Sequence, residues 1–233
     1  MRLHRFYLKD IEKQGDLWIT NDIGFIHQLK NVFRAKIGQN ILVFNELIGE
    51  VELKLENMSK KDMSFVFIRQ SREAKISKAN KRQVCLYMSI IKNNNFELVV
   101  EKAVELGVDK IIPIITERTI KNNLNLDRLN KIIIEATEQS WRMGLLKIEK
   151  PVNLIDVEFN NANEKVFGSI EGKVNLFNHD SKNDIDIFVG PEGGFSDQEI
   201  SLLTKNNVKA VCINENVLRA ETAAIVFCAA YNL

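Results

Sequence analysis

The sequence predicts an α/β protein in two parts, a small barrel-like β module followed by a larger domain built on a parallel sheet. Three observations predict it. The first 72 residues hold four short runs suited to strands and one helical stretch; from residue 83 onward, apolar strands alternate with amphipathic helices; and two strands of the second part each end in a polar loop that opens a helix. Strand, helix, strand at this spacing indicates a parallel sheet with helices packed on it. The stretch Glu73 to Arg82 is polar and has no hydrophobic period, so the expected division is 1–72, a linker over 73–82, and 83–233.

In the first part, Leu17–Thr20, Asn40–Phe44, Glu50–Leu55 and Met63–Ile68 read as strands, two of them alternating apolar and polar residues as half-exposed strands do. One helix interrupts them. Asp22 is placed to cap it, Ile23, Ile26, Leu29 and Phe33 fall on one face, and His27, Lys30 and Arg34 fall on or near the other. In the second part, Val84–Ile91 is a continuous apolar strand, Asn95–Leu106 an amphipathic helix stopped by Gly107, and Lys110–Thr116 another apolar strand. Asn125–Gly144 is the longest expected helix, with Leu126, Leu129, Ile133 and Ala136 spaced for a buried face. Near its end Glu138 and Arg142 sit four apart, as an ordinary surface ion pair would. A helix near Leu154–Phe159 and a strand over Lys165–Ile170 follow, and the loop after that strand is a candidate third wall for a site. The last helix, Ala220–Tyr231, is apolar all round, which implies burial on several sides.

Composition narrows the class. At 233 residues, with 45% hydrophobic and 27% charged residues, the chain suits one large or two small globular domains and argues against a disordered or repetitive protein. No apolar run approaches the roughly 20 residues of a membrane helix, and Met1-Arg2-Leu3-His4-Arg5 leads into no signal-peptide core. A cytoplasmic protein is expected. Cys85, Cys212 and Cys228 are odd in number, embedded in apolar sequence and without metal-ligand spacing, so they read as reduced core residues and no metal is expected. The net charge of +1 conceals a split: residues 1–82 carry 16 Lys and Arg against 10 Asp and Glu, the remainder 16 against 21. The basic third hints at an anionic partner, although so modest an excess is also what a solvated surface shows.

The chemistry concentrates in two places. The run Ile185–Val189 breaks into Gly190-Pro191-Glu192-Gly193-Gly194, and Ser196 with Glu199 then forms a capping box for a helix. Ligands of open α/β sheets bind at the carboxyl ends of strands, and the glycines remove the Cβ atoms that would keep a flat ligand off the backbone. The loop lacks the Lys-Ser/Thr of a phosphate-binding loop and the G-x-G-x-x-G spacing of a dinucleotide fold, and Glu192 would repel phosphate. Taken alone, it reads equally well as a binding loop or a plain strand-to-helix turn. A second strand, Ala210-Val211-Cys212-Ile213, repeats the arrangement through Asn214-Glu215-Asn216 into Val217-Leu218-Arg219-Ala220-Glu221-Thr222-Ala223.

These two stretches together resemble the paired signature of the RsmE family, SPOUT-class methyltransferases acting on uridine N3 of 16S ribosomal RNA. Glu138-Gln139-Ser140-Trp141-Arg142 is similar to the family's Glu-Gln-Ser-x-Arg motif, with Trp141 where a small residue is usual. The resemblance implies a SPOUT domain with a parallel sheet and a C-terminal trefoil knot, preceded by a PUA-like or OB-like RNA-binding domain. It also implies S-adenosylmethionine as methyl donor, 16S ribosomal RNA or the small ribosomal subunit as partner, and a homodimer formed partly by the last helix. Carried over residue by residue, Val189, Gly190, Glu192, Gly193 and Gly194 of the first loop would hold the donor. From the second loop Ile213, Asn214, Val217 and Leu218 would join them. Arg219 would stabilise charge on the reacting base, with an ion pair to Glu221 as the plainer alternative; Glu221 and Thr222 would cap or orient, and Arg142 would lie near the active site. Arg5, His27 and Arg34 would contact RNA, with Lys30 joining them from the basic helix face, His27 being equally well explained as a solvated helix residue. The family usually has Gly and Arg where this chain has Asn214 and Asn216, and a basic residue near Asn95. No residue stands out as a general base. A non-catalytic ribosomal RNA-binding protein with a decayed pocket is the competing reading, and retention of Arg219, Glu221 and Thr222 argues against it.

Overall fold

The computed structural model of the chain describes residues 3–74, 82–120, 123–160, 162–178 and 183–232. Most of the expected linker, residues 75–81, lies outside them. The chain divides into two compact units, Met1–Ala79 with Thr137–Gly144, and Asn80–Ala136 with Leu145–Leu233.

The first unit is a six-stranded sheet of β1 (Arg5–Tyr7), β2 (Glu12–Gln14), β3 (Leu17–Thr20), β4 (Asn40–Asn45), β5 (Gly49–Met58) and β6 (Met63–Arg72), in the order β1-β4-β5-β6-β3-β2. Only the β1–β4 pairing is parallel. The core gathers Phe6, Val43, Leu53 and Phe65 against Phe25, Ile26 and Leu29. Asp22 caps α1 (Ile23–His27) by accepting the Phe25 N–H at 2.9 Å. A π-helical turn, Gln28–Val32, follows. The helix is shorter than its pattern suggested: Ile23 is 74% and Phe33 37% exposed, so neither anchors a buried face. His27 and Lys30 point to solvent as expected. Arg34 is exposed too, but it lies past the helix in the left-handed region (φ 51°).

Arg5 corrects an expectation. In place of an RNA contact, the structure shows a residue only 6% exposed whose donors are committed inside the unit. Nε donates to Glu50 Oε2 at 2.5 Å, Nη1 to the Thr137 carbonyl at 2.8 Å and Nη2 to the Arg142 carbonyl at 2.6 Å. Its guanidinium lies 3.4 Å from the Phe44 ring centroid. Burial lowers its pKa, against the opposing pull of Glu50. A buried arginine is tolerable only when paired and hydrogen-bonded in this way, so its work is structural.

The second unit contains β7 (Val84–Ser89), α2 (Asn93–Glu105), β8 (Lys110–Ile115), β9 (Lys147–Ile148), β10 (Val152–Asn153), β11 (Glu164–Gly168), β12 (Val174–Asn175), β13 (Ile185–Val189), α4 (Asp197–Lys205), β14 (Lys209–Cys212) and α5 (Ala220–Asn232). Between β8 and β9 runs α3 (Leu126–Ser140), whose last turn groups with the first unit. The strand order is β10-β8-β7-β13-β11-β14-β12, with β9 beside β8, and every pairing is parallel. β9 pairs with Lys110 and Ile111, β10 with Ile114 and Ile115. The gap between them falls at Pro113 on one side and Pro151 on the other, residues with no N–H to give a ladder. β13 is central and buried throughout. One sheet face packs Leu86, Ile187 and Val211 with Val100, Ile133 and Phe227 of the helices. The other stacks Tyr87 on Phe188 at 4.3 Å and meets Leu203 of α4.

Three local differences have physical reasons. α3 stops at Ser140 because Trp141 adopts φ 61°, the left-handed residue that commonly ends helices, so Arg142 is outside it. The expected helix over 154–159 is a 3-10 turn, Leu154–Asp156. α5 is apolar all round, but within one chain only the face of Ala224, Phe227, Cys228 and Tyr231 is buried, leaving Ile225, Val226 and Ala229 half-buried. The cysteines are free, and burial pushes the thiols of Cys85 and Cys228 up to about 12.

Candidate active site

Three loops at the carboxyl ends of the adjacent strands β13, β11 and β14 enclose a cavity of about 490 Å³. The first loop turns where Gly194 (φ 70°) donates its N–H to the Pro191 carbonyl at 2.9 Å. It ends in the expected capping box: Ser196 Oγ accepts the Glu199 N–H at 3.4 Å, and Glu199 Oε2 accepts the Ser196 N–H at 2.8 Å. The loop after β14 is held by an Asx turn, Asn216 N–H donating to Asn214 Oδ1 at 2.9 Å. The loop after β11 is tied to β14 by the Ser169 N–H, 3.0 Å from the Val211 carbonyl. A Cβ on Gly168 would stand 2.9 Å from the Phe227 ring, so α5 approaches β11 as closely as a glycine allows.

Eight of the nine expected donor-site residues line this cavity. Val189, Gly190, Gly193 and Gly194 come from the first loop, and Ile213, Asn214, Val217 and Leu218 from the second. Glu192 does not: it is exposed and outside the lining, because the turn at Pro191 carries its side chain to solvent. Gly168, Ser169, Ile170 and Glu171 supply the third wall. Val217 is 78% exposed. The walls are thus mainly apolar side chains and bare backbone, with Arg118, Glu171, Asp197 and Asn214 as polar groups among them, which fits a small flat molecule with a hydrogen-bonding edge.

The expected catalytic residues sit differently. Arg219 is exposed beside the cavity residue Leu218, its carbonyl accepting the Ala223 N–H at 2.9 Å as α5 begins. The cavity takes Ala220 and Ala223 from that helix start rather than Glu221 or Thr222. Thr222 is exposed; Glu221 is 8% exposed, and its Oε2 has no hydrogen-bond partner among the described residues. Arg142 belongs to the first unit, where Nε donates to the Gly144 carbonyl at 2.8 Å. Sequence reasoning missed Arg118, which lines the cavity and donates from Nη1 to the Gly193 carbonyl at 2.6 Å. Its signal was the charged pair Glu117-Arg118 directly after an apolar strand. Among the described residues no group of three His, Cys, Asp or Glu could hold a metal ion, and no helix is long and apolar enough to cross a membrane.

A family model described as an RNA methyltransferase domain matches residues 78–232. A ribosomal RNA small subunit methyltransferase E from Rickettsia conorii is 32% identical over 97% of this chain and 93% of its own length. The chain belongs to the ribosomal RNA small subunit methyltransferase E family. A methyltransferase E from Aquifex aeolicus is 29% identical, with 96% of each chain covered. The crystal structure of a methyltransferase E from Neisseria gonorrhoeae, bound to S-adenosyl methionine, superimposes with a TM-score of 0.85 at 27% identity, covering 98% of this chain and 96% of that one. The α/β fold with its parallel sheet is therefore that of the methyltransferase E family.

Proposed function

We propose that the chain methylates N3 of a uridine in 16S ribosomal RNA of the small ribosomal subunit, with S-adenosylmethionine as donor. One observation carries the reading: the cavity at the ends of β13, β11 and β14 has glycine backbone for a wall, in a chain whose Neisseria relative was crystallised with that molecule. Bound there, S-adenosylmethionine supplies a methyl group made electrophilic by its sulfonium. Val189, Ile213 and Leu218 would enclose the donor, while the bare backbone of Gly190, Gly193 and Gly194 would lie against its adenine. Holding two reactants in line supplies most of the acceleration such a displacement needs. Uridine N3 carries a proton at neutral pH, so the site must also favour the deprotonated base. Arg219, exposed at the cavity edge, is the proposed source: a guanidinium can present two donors to a planar anion. Glu221 and Thr222 would orient the start of α5, and Arg142 is a catalytic candidate by its motif alone.

The finer architecture is part of the same proposal. A trefoil knot around the carboxyl-terminal segment is proposed from the family resemblance. Residues 1–72 are proposed as a PUA-like or OB-like module docking RNA through His27, Lys30 and Arg34, and residues 83–233 as the catalytic domain, the whole working as a cytoplasmic homodimer. The test is nucleoside analysis of 16S ribosomal RNA from cells with and without the gene, alongside calorimetry with S-adenosylmethionine. Loss of one N3-methyluridine is expected. An unchanged nucleoside profile with no donor binding would return the chain to the non-catalytic reading.

A further inference from the structure

We infer that Arg118 is a positioning residue for the donor site, and that position 193 is glycine to make room for the stem of Arg118 rather than for the ligand; this rests on the proposed donor site. β8 and β13 are not neighbours, since β7 lies between them. The chain leaving β8 nevertheless reaches across the end of β7 and fastens to the glycine loop at two points. Arg118 Nη1 donates to the Gly193 carbonyl at 2.6 Å and approaches the Phe195 carbonyl at 3.5 Å. The Glu199 carboxylate bridges both loops, accepting the Glu117 N–H at 2.8 Å through Oε1 and the Ser196 N–H at 2.8 Å through Oε2. The base of Arg118 is fixed by a tight turn, with the Thr116 N–H donating to Thr119 Oγ1 at 2.9 Å and the Thr119 N–H to the Thr116 carbonyl at 3.0 Å.

Gly193 completes the argument. Its φ is not positive, so a left-handed backbone is not what calls for glycine there. What a side chain would meet is Arg118: an added Cβ would lie 3.2 Å from Cδ, 3.6 Å from Cβ and 3.9 Å from Cγ of that residue. A Cβ at 193 would make the Arg118 stem give by a few tenths of an ångström at Cδ, and a branched side chain such as valine would crowd further the stem whose guanidinium holds the Gly193 carbonyl. Both substitutions undo one strap, and the loop that walls the cavity is then no longer preorganised. Preorganisation of this kind enters affinity and not the chemical step.

The experiment is a double-mutant cycle on the full-length protein with R118A, R118K, G193V and R118A/G193V. S-adenosylmethionine affinity is read by calorimetry, turnover at saturating donor, and hydrogen exchange at the Gly194 and Ser196 amides in the free protein. R118A should weaken donor binding about tenfold, the loss of one charge-assisted hydrogen bond, with turnover at saturating donor nearly unchanged. R118K, which keeps one donor, should recover part of the affinity. G193V should weaken binding in the parent but add less than about twofold in the R118A background, because the contact it breaks is already gone. Exchange at the two amides should quicken in R118A. Full additivity of G193V and R118A would overturn the inference, as would unchanged amide exchange. Failure of the donor-site reading looks different: the parent itself would not bind S-adenosylmethionine, while the exchange comparison would still report on the strap.

Discussion

Arg5 and Glu50 show what one buried pair does. Glu50 is fully buried, accepts hydrogen bonds from Arg5 and Ser71 and forms a longer ion pair with Arg72 at 3.5 Å, so removing Arg5 leaves a carboxylate short of its closest cation. Arg5→Ala should destabilise the protein by about 3–5 kcal/mol in denaturant unfolding, whereas an exposed arginine binding RNA would cost almost nothing. Asp186 gives a pH-dependent counterpart. Burial raises its pKa from 3.8, opposed by the Asn163 amide at 3.1 Å and by Lys165. A carboxyl whose folded pKa is raised holds its proton more tightly folded than unfolded, so stability falls as pH rises through and above the unfolded value near 4. Asp186→Asn removes that titration, and unfolding midpoints at pH 3.5 and pH 7.5 should show the variant gaining on its parent at the higher pH. The glycine loop was legible because its requirements are local, a turn and missing Cβ atoms. Arg5 was not, because its acceptors lie 45, 132 and 137 residues away.

Among the elements, the start of α4 was foreseen to the residue, since both halves of a capping box lie within four residues. Ser196→Ala should lower stability by about 1 kcal/mol, measured as a shifted unfolding midpoint; no shift would mean that the Glu199 bridge alone fixes the helix start. The long strands β4, β7, β8 and β13 were legible from runs of β-branched and aromatic residues. β1, β2, β9, β10 and β12 have two or three residues each, too few for any period to register, and exist only because a longer neighbour offers a ladder. The end of α3 was misjudged for a different reason. Its hydrophobic spacing continues past Ser140, but the backbone of Trp141 turns left-handed, and periodicity carries no information about φ.

For the molecule as a whole, α5 leaves Ile225, Val226 and Ala229 half-covered in one chain. Sedimentation at low micromolar concentration is expected to give twice the chain mass, and Ile225→Glu to give the single mass; a parent that sediments as one chain would remove the proposed dimer. The basic residues of the first unit make a separate claim. Lys30→Glu with Arg34→Glu should weaken RNA binding and reduce the log–log salt slope by about one unit per lost phosphate contact. Donor affinity should not move. An unaltered slope would mean that RNA is held elsewhere.

The central position of β13 also sets an order in time. Val84 pairs with Ile185 and Met88 with Val189, so β7 waits for a strand made roughly one hundred residues later. Contacts so distant in sequence close slowly. On a ribosome adding about 5–20 residues each second, β7 and β8 emerge with an open apolar edge that nothing yet synthesised can cover. The first unit's strands all pair among themselves within residues 5–72 and need not wait. An amino-terminal fragment ending before β13 should therefore fold its first sheet and aggregate through its second, and the cavity, which needs β13, β14 and α5, is the last part of the molecule to come into being.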